Sequence, residues 1–256
     1  MSIRHRPLTT FLLVEDHVVT ARLTTTPKSH SMAPRIVIPA GETWFDIHET
    51  NFSDVPVSAN RYVPIKEFLA ATEATATIFD LLGSAVFTPI KNDMLFNVGR
   101  VRSRQAQDAE GSRTLQDLVK NELATQAHSA TAGLTWLVRG LDFLAHALKT
   151  DLTQNKDISA TEKMPKMDLR ESFRDSYKVT LSPYHTVVIR PIFRAAMSAA
   201  PRRKDLYIRL SGKGTDPELA VQAMEKWVTA TETIVTILKD FLATDEVKVL
   251  LPERMQ

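Results

Sequence analysis

Apolar residues recur along this chain at steps of three and four, the period of one helix face. From Pro64 onward three such stripes stand out. Ile90, Met94, Val98 and Val101 form the first. Leu134, Leu137, Val138, Leu141, Leu144, Ala145 and Leu148 form the second. Met224, Trp227, Thr231, Ile234, Leu238 and Phe241 form the third. Thr88-Pro89, Ser182-Pro183 and Asp216-Pro217 each place a capping side chain before a proline at the first helical position, where the missing N–H costs nothing. Pro191 lies inside the apolar run Val187 to Phe193 and predicts a kinked or broken helix. Ala106–Gly111 and Asp151–Lys166 read as breaks between helices, with 155–166 a polar, mobile loop. No run alternates as a strand does, and Arg35–Ile38 is too short to carry a sheet. The pattern predicts an all-α protein.

Composition narrows the function. The chain has 256 residues with 24% charged and 43% hydrophobic residues, which is ordinary for a globular protein. It has no cysteine, which removes disulfides, thiolate nucleophiles and Cys-based zinc sites. Of the net charge of +2, residues 1–35 hold +3 (Arg4, Arg6, Arg22, Lys28 and Arg35 against Glu15 and Asp16), leaving −1 for the rest. A nearly neutral body does not fit a general nucleic-acid binder. Phe11–Val14 stops at Glu15 and Asp16, too short for a secretory signal or a span, and the same acids interrupt a presequence reading. Residues 1–38 are therefore expected to be a disordered N-terminal extension, and 39–256 the folded domain.

Catalytic signatures fail. Gly212-Lys213-Gly214-Thr215 resembles the end of a phosphate loop, but no upstream glycine has the required spacing and no strand precedes it. There is no His-Glu-x-x-His, Gly-x-Ser-x-Gly or calcium loop. His128, His146 and His185 stand singly. No catalytic set, metal site or cofactor is expected, so binding is favoured over catalysis.

Spacing does offer a polar face. Asp93, Asn97 and Arg100 stand at i, i+4 and i+7, one position off the Ile90–Met94–Val98 stripe, at the border of core and surface. Such a trio can donate to and accept from vicinal hydroxyls. Trp136 lies one position off its own stripe, and a flat indole suits the C–H face of a sugar ring. His185 falls just after Ser182-Pro183, in what reads as a first helical turn. By spacing alone such a trio is more often a solvated helix face, such a tryptophan a core filler and such a histidine a helix-start residue.

Three segments decide between these readings: Ile78–Arg100 (IFDLLGSAVFTPIKNDMLFNVGR), Gly133–Phe143 (GLTWLVRGLDF) and Tyr184–Pro201 (YHTVVIRPIFRAAMSAAP). Together, in this order and spacing, they resemble the glycolipid transfer protein family, and in particular its fungal heterokaryon-incompatibility-type members. The resemblance runs from about Pro39 to about Ala243. It implies a two-layer sandwich of about eight helices, with a sphingolipid headgroup in a surface pocket and the chains between the layers. It also implies a role for each residue. Asp93 would hydrogen-bond the ceramide amide and a sugar hydroxyl. Asn97 would contact the sugar, and Trp136 would stack on it. His185 would donate to the amide carbonyl. Arg100 stands where the family usually has lysine. Members that carry ceramide-1-phosphate place extra cations where this chain has Asn97 and Trp136, so a neutral sugar headgroup is expected.

The function so implied is non-enzymatic transfer of glycosphingolipids between membranes by a cytoplasmic monomer that touches membranes transiently. Ceramide-1-phosphate transfer and a sphingolipid sensor or adaptor using the same pocket are the alternatives. Where the family commonly carries a large interfacial aromatic, two residues after the histidine, this chain has Val187. The basic stretch 202–213 (Arg202, Arg203, Lys204, Arg209 and Lys213, with Tyr207) offers a second way to meet an anionic surface.

Overall fold

The computed structural model describes residues 36–248. The N-terminal extension therefore lies outside the described residues almost entirely. The described residues fold into helices and no strand, with two isolated β-bridges, Thr43 to Ser211 and Pro64 to Thr114. In chain order the helices are α1 (Ile65–Ala76), α2 (Ile78–Leu81), α3 (Thr88–Gln107), α4 (Leu115–Ala124), α5 (Ser129–Gln154), α6 (Leu169–Thr180), α7 (Arg190–Ser198), α8 (Arg203–Arg209), α9 (Pro217–Leu242) and α10 (Asp245–Lys248). Eight of these have seven residues or more, and α2 and α10 are single turns of four. The helix α5 is the central element. It packs against α3, α6 and α9, so its apolar stripe from Leu134 to Leu148 is wholly buried.

The start signals work unevenly. Asp216 caps α9 as expected, accepting from the Glu218 N–H at 3.0 Å. Thr88 lies inside α3 after a 3₁₀ turn, Ala85–Phe87, and neither it nor Phe87 caps with its side chain. Ser182-Pro183 opens only a 3₁₀ turn, Ser182–Tyr184, and His185 follows it in extended backbone (φ −89°, ψ 133°) rather than in a first helical turn. Pro191 starts a helix instead of kinking one: it occupies the first turn of α7, where its fixed φ and missing N–H are harmless. The central helix also has an unforeseen cap. Its N-cap residue, His128, makes no side-chain bond, and the buried Glu122 carboxylate from α4 accepts instead from Ala130 N (2.8 Å) and from Thr131 N (2.6 Å) and Oγ1 (2.7 Å). A negative charge there meets the positive end of the α5 dipole.

The break expected at Asp151 begins later, because α5 runs to Gln154. Asp151 is fully buried and accepts from Arg203 Nε (3.2 Å), Tyr207 Oη (2.9 Å) and Asn155 Nδ2 (3.2 Å). Arg203 also donates to Ser159 O at 2.9 Å, and Ser159 Oγ donates to Glu218 at 2.8 Å. The polar 155–166 segment is thus tied to α5, α8 and α9, against the expectation of a mobile loop. The same contacts revise the basic stretch 202–213. Arg203 and Tyr207 are core residues, and Arg209 closes α2 by donating to Leu81 O (3.0 Å) and Leu82 O (3.1 Å). Gly212 is explained by packing: a Cβ there would overlap the Pro39 carbonyl, and its own N–H donates to Glu42 O at 2.9 Å.

Candidate functional site

The site begins at the seam between α3 and α5. Gly133 permits the approach, since a Cβ added there would lie 3.1 Å from Asn97 O and 3.2 Å from Arg100 Cβ. Seven residues on, a Cβ at Gly140 would stand 3.7 Å from Met94 Cε. Rising numbers on α5 therefore meet falling numbers on α3, and the helices run antiparallel. Trp136 lies between the two glycines on the same face of α5.

Along α3 the polar trio is knitted together. Asn97 is buried and donates through Nδ2 to Asp93 O (3.0 Å) and Asp93 Oδ2 (3.4 Å). Arg100 donates to Asn97 Oδ1 at 3.4 Å and through Nε to Ser129 Oγ at 3.1 Å. Burial pushes the Asp93 carboxyl up to about 7, and the Arg100 guanidinium opposes the shift only in part. Phe96, on the solvent side of the trio, is 39% exposed, with the Arg100 guanidinium 5.9 Å from its ring centre.

Across the seam, Trp136 and His185 are stacked, with ring centroids 5.6 Å apart and planes 24° apart. His185 is buried against Phe193 at 4.4 Å, and its Nδ1 lies 3.2 Å from Tyr177 Oη. Burial first, then the charges of Arg139 and Arg190, hold the His185 imidazole down to about 4, so the ring is neutral at physiological pH. Arg190 fixes the turn that carries it, donating to His185 O (3.0 Å) and Ser182 O (3.2 Å). Behind His185 the rings continue inward: Phe193 stacks on Tyr177 at 5.4 Å, and Phe143 meets Phe173 at 5.6 Å and Phe193 at 6.5 Å.

The structure thus brings Asp93, Asn97 and Arg100 of α3 into one hydrogen-bonded line, and stacks Trp136 of the adjoining α5 on His185 of the segment before α7. Sequence reasoning missed Arg139, which lies 3.6 Å over the Tyr184 ring and 5.1 Å over that of Trp136. Its position three residues after Trp136 was the available signal. Tyr177 was also missed; only its place on the inner face of α6 marks it. Outside the stack, Tyr184, Val187 and Val188 are 47%, 77% and 55% exposed. The described residues hold no cluster of three or more histidine, aspartate or glutamate side chains placed to bind a metal.

Comparison with known proteins identifies the family. Residues 63–212 match the family model described as glycolipid transfer protein. The chain is 45% identical over 210 residues to a glycolipid transfer protein of Aureobasidium melanogenum, covering 82% of this chain and 98% of that one. It is 32% identical over 238 residues to pleckstrin homology domain-containing family A member 8 of Bos taurus, covering 86% of this chain but only 43% of that longer protein. Among solved structures, HET-C2, a fungal glycolipid transfer protein, aligns with a TM-score of 0.73 at 42% identity, over 80% of this chain and all of its own. FAPP2, described as selecting simple glycosphingolipids with this fold, aligns with a TM-score of 0.69 at 28% identity, over 82% of this chain and 98% of its own. Human ceramide-1-phosphate transfer protein shares the fold at 20% identity and a TM-score of 0.65, over 77% of this chain and 93% of its own.

Proposed function

The chain belongs to the glycolipid transfer protein family, and from that premise we propose that it carries single glycosphingolipids between membranes, with Asp93, Asn97, Arg100, Trp136 and His185 holding the headgroup. The observation that carries this reading is the pairing, across one helix seam, of a hydrogen-bonding line with an indole–imidazole stack that leads into an aromatic core. In this reading the Asp93 carboxylate accepts from the ceramide amide and a sugar hydroxyl, Asn97 reads a further hydroxyl, and Trp136 covers the ring's apolar face. Neutral His185 donates to the amide carbonyl. The chains follow the rings of Phe193, Phe143 and Tyr177 inward.

The driving problem is the lipid's tails. About 30 methylenes at ~0.8 kcal/mol each make passage through water cost more than ~20 kcal/mol. A dry path between helices removes most of that barrier. No bond is made or broken, so no catalysis is assigned. Headgroup preference follows from where the cations are engaged. Arg100 is held by Ser129 and Asn97, and Arg139 by two rings, so neither is arranged as a bidentate phosphate clamp. A neutral sugar is favoured over ceramide-1-phosphate. The protein is read as a cytoplasmic monomer that meets membranes peripherally, through the exposed Tyr184, Val187 and Val188 beside the pocket. Among the described residues, no helix is long and apolar enough to cross a membrane.

The test is transfer of fluorescent galactosylceramide between vesicles, wild type beside Asp93→Val and Trp136→Ala, with labelled phosphatidylcholine as control. Transfer of the glycolipid alone, lost in both variants, is expected. Equal uptake of ceramide-1-phosphate and galactosylceramide would overturn the headgroup assignment. Transfer unaffected by either substitution would overturn the pocket.

A further inference from the structure

Among the described residues, Phe96 is the one phenylalanine that stands exposed; every other is buried or half-buried. A single exposed apolar residue is common and implies no function by itself. Phe96 is set apart by its place. It comes three residues after Asp93 and four before Arg100, on the solvent flank of the polar trio, and the Arg100 guanidinium lies 5.9 Å from its ring centre. That guanidinium is anchored to Ser129 Oγ at 3.1 Å and Asn97 Oδ1 at 3.4 Å, which keeps the ring beside the seam between α3 and α5.

The seam fixes what stands opposite. Gly133 meets Arg100 and Gly140 meets Met94, so Trp136, near the midpoint on α5, is level with Phe96 and Asn97 on α3. Trp136 is half-buried and Phe96 is 39% exposed, so both border the open side of the seam. Packed helix axes lie about 8–10 Å apart. Two aromatic residues at one level across that span match two linked hexoses better than one.

The flank around Phe96 is polar. Asn92, one turn before it, and Ser103, two turns after, are exposed, and a Cβ added at Gly99 would meet nothing within 4 Å. A membrane anchor needs continuous apolar area, as Tyr184, Val187 and Val188 offer on the other side of the pocket, and Phe96 has none around it. An isolated ring among an amide, a hydroxyl and open space suits a sugar instead: the ring takes the C–H face, and the polar neighbours can serve the hydroxyls.

We propose that Phe96 is a specificity residue for a second sugar: with the first hexose on Trp136, the Phe96 ring takes the outer hexose of a diglycosylceramide. This role rests on the glycosphingolipid reading above and adds to it a preference for a two-sugar headgroup.

The test compares lactosylceramide with glucosylceramide, which differ only in the outer hexose. The affinity of the full chain for each is measured on phosphatidylcholine vesicles, for wild type, Phe96→Ala, Phe96→Leu and Phe96→Trp. Wild type is expected to prefer lactosylceramide about fivefold, the worth of one stacked ring. Phe96→Ala and Phe96→Leu are expected to bring the ratio of the two affinities close to one, through loss of lactosylceramide binding, and Phe96→Trp to keep it. Leucine is the discriminating variant, because it retains apolar area without an aromatic face. No preference in wild type, a preference that survives in Phe96→Ala, or an equal loss of both lipids in a variant that melts as wild type does would overturn the proposal. So would weaker adsorption of Phe96→Ala to vesicles without glycolipid, restored by Phe96→Leu, which would make the residue a membrane contact. A wild type that binds neither glycolipid would remove the glycosphingolipid reading itself, and the role of Phe96 with it.

Discussion

Asp93→Asn should make the protein more stable and a poorer carrier. The carboxyl of Asp93 is raised from 3.8 to about 7, mainly by desolvation, with Arg100 opposing. Between those two values the folded state binds a proton that the unfolded state has released, so stability falls as pH rises through the window. The cost is absent below about pH 4 and complete above about pH 7. Ionising so displaced a carboxyl costs about 4 kcal/mol at most, and water reaching the half-buried carboxylate screens this to about 2 kcal/mol. Asparagine keeps the shape without the charge. Thermal unfolding of the two proteins at pH 4 and pH 8 is the assay. The melting temperatures are expected to agree within about a degree at pH 4 and to differ by about 4–8 °C at pH 8, Asp93→Asn being higher. A variant less stable than wild type at pH 8, or a gap that does not change with pH, would refute the reasoning.

On the proposed reading the same group should set the pH dependence of lipid binding. A ceramide N–H donated to Asp93 stabilises the ionised form and lowers its pKa in the complex. Binding then releases a proton below pH 7, and affinity is expected to rise about tenfold from pH 6 to pH 8. His185, held at about 4, contributes nothing across that range. Asp93→Asn should therefore flatten the profile, and His185→Gln should weaken binding without flattening it.

Gly133→Val is expected to cost about 1–3 kcal/mol in chemical denaturation and to lower glycolipid binding, because its side chain must displace Asn97 O or Arg100, 3.1 and 3.2 Å from a Cβ. Asp151→Ala strands the buried Arg203 guanidinium and is expected to cost about 3–5 kcal/mol in the same measurement, while transfer at a temperature where the variant stays folded is unchanged. Val187→Trp, at a position 77% exposed beside the pocket, is expected to raise vesicle binding severalfold in sedimentation and to make it less sensitive to salt.

The helical face of the site was legible because helix geometry is local. Asp93, Asn97 and Arg100 share a face by arithmetic, and the apolar stripe beside them fixes which side turns inward. Their hydrogen bonds to one another follow from positions three and four residues apart. The loop that carries His185 was not legible in the same way. Ser182-Pro183 has the composition of a helix start, yet its turn closes after three residues because Arg190 and Tyr177 capture the chain from other helices. Residue preferences count a serine before a proline as a cap; they do not register the arginine eight positions on that takes the serine's carbonyl.

Charge misled for a related reason. Arg203 and Tyr207 look like members of a basic, interfacial stretch when read along the chain, and in space they belong to a buried network with Asp151. The signal lies 52 and 56 residues upstream, in an aspartate at the end of the long apolar helix. Burial raises the Asp151 carboxyl, while Arg203, Tyr207 and Asn155 favour its charged form. A carboxylate with three partners can stay in the core. Asp93 is half-buried with a weaker set: an amide at 3.4 Å and an arginine turned towards Asn97 and Ser129. That difference is what the proposed binding role of Asp93 draws on. Both carboxyls are raised by burial, but Asp151 has three side-chain partners within the fold, whereas Asp93 has room for a donor from outside the chain on the proposed reading.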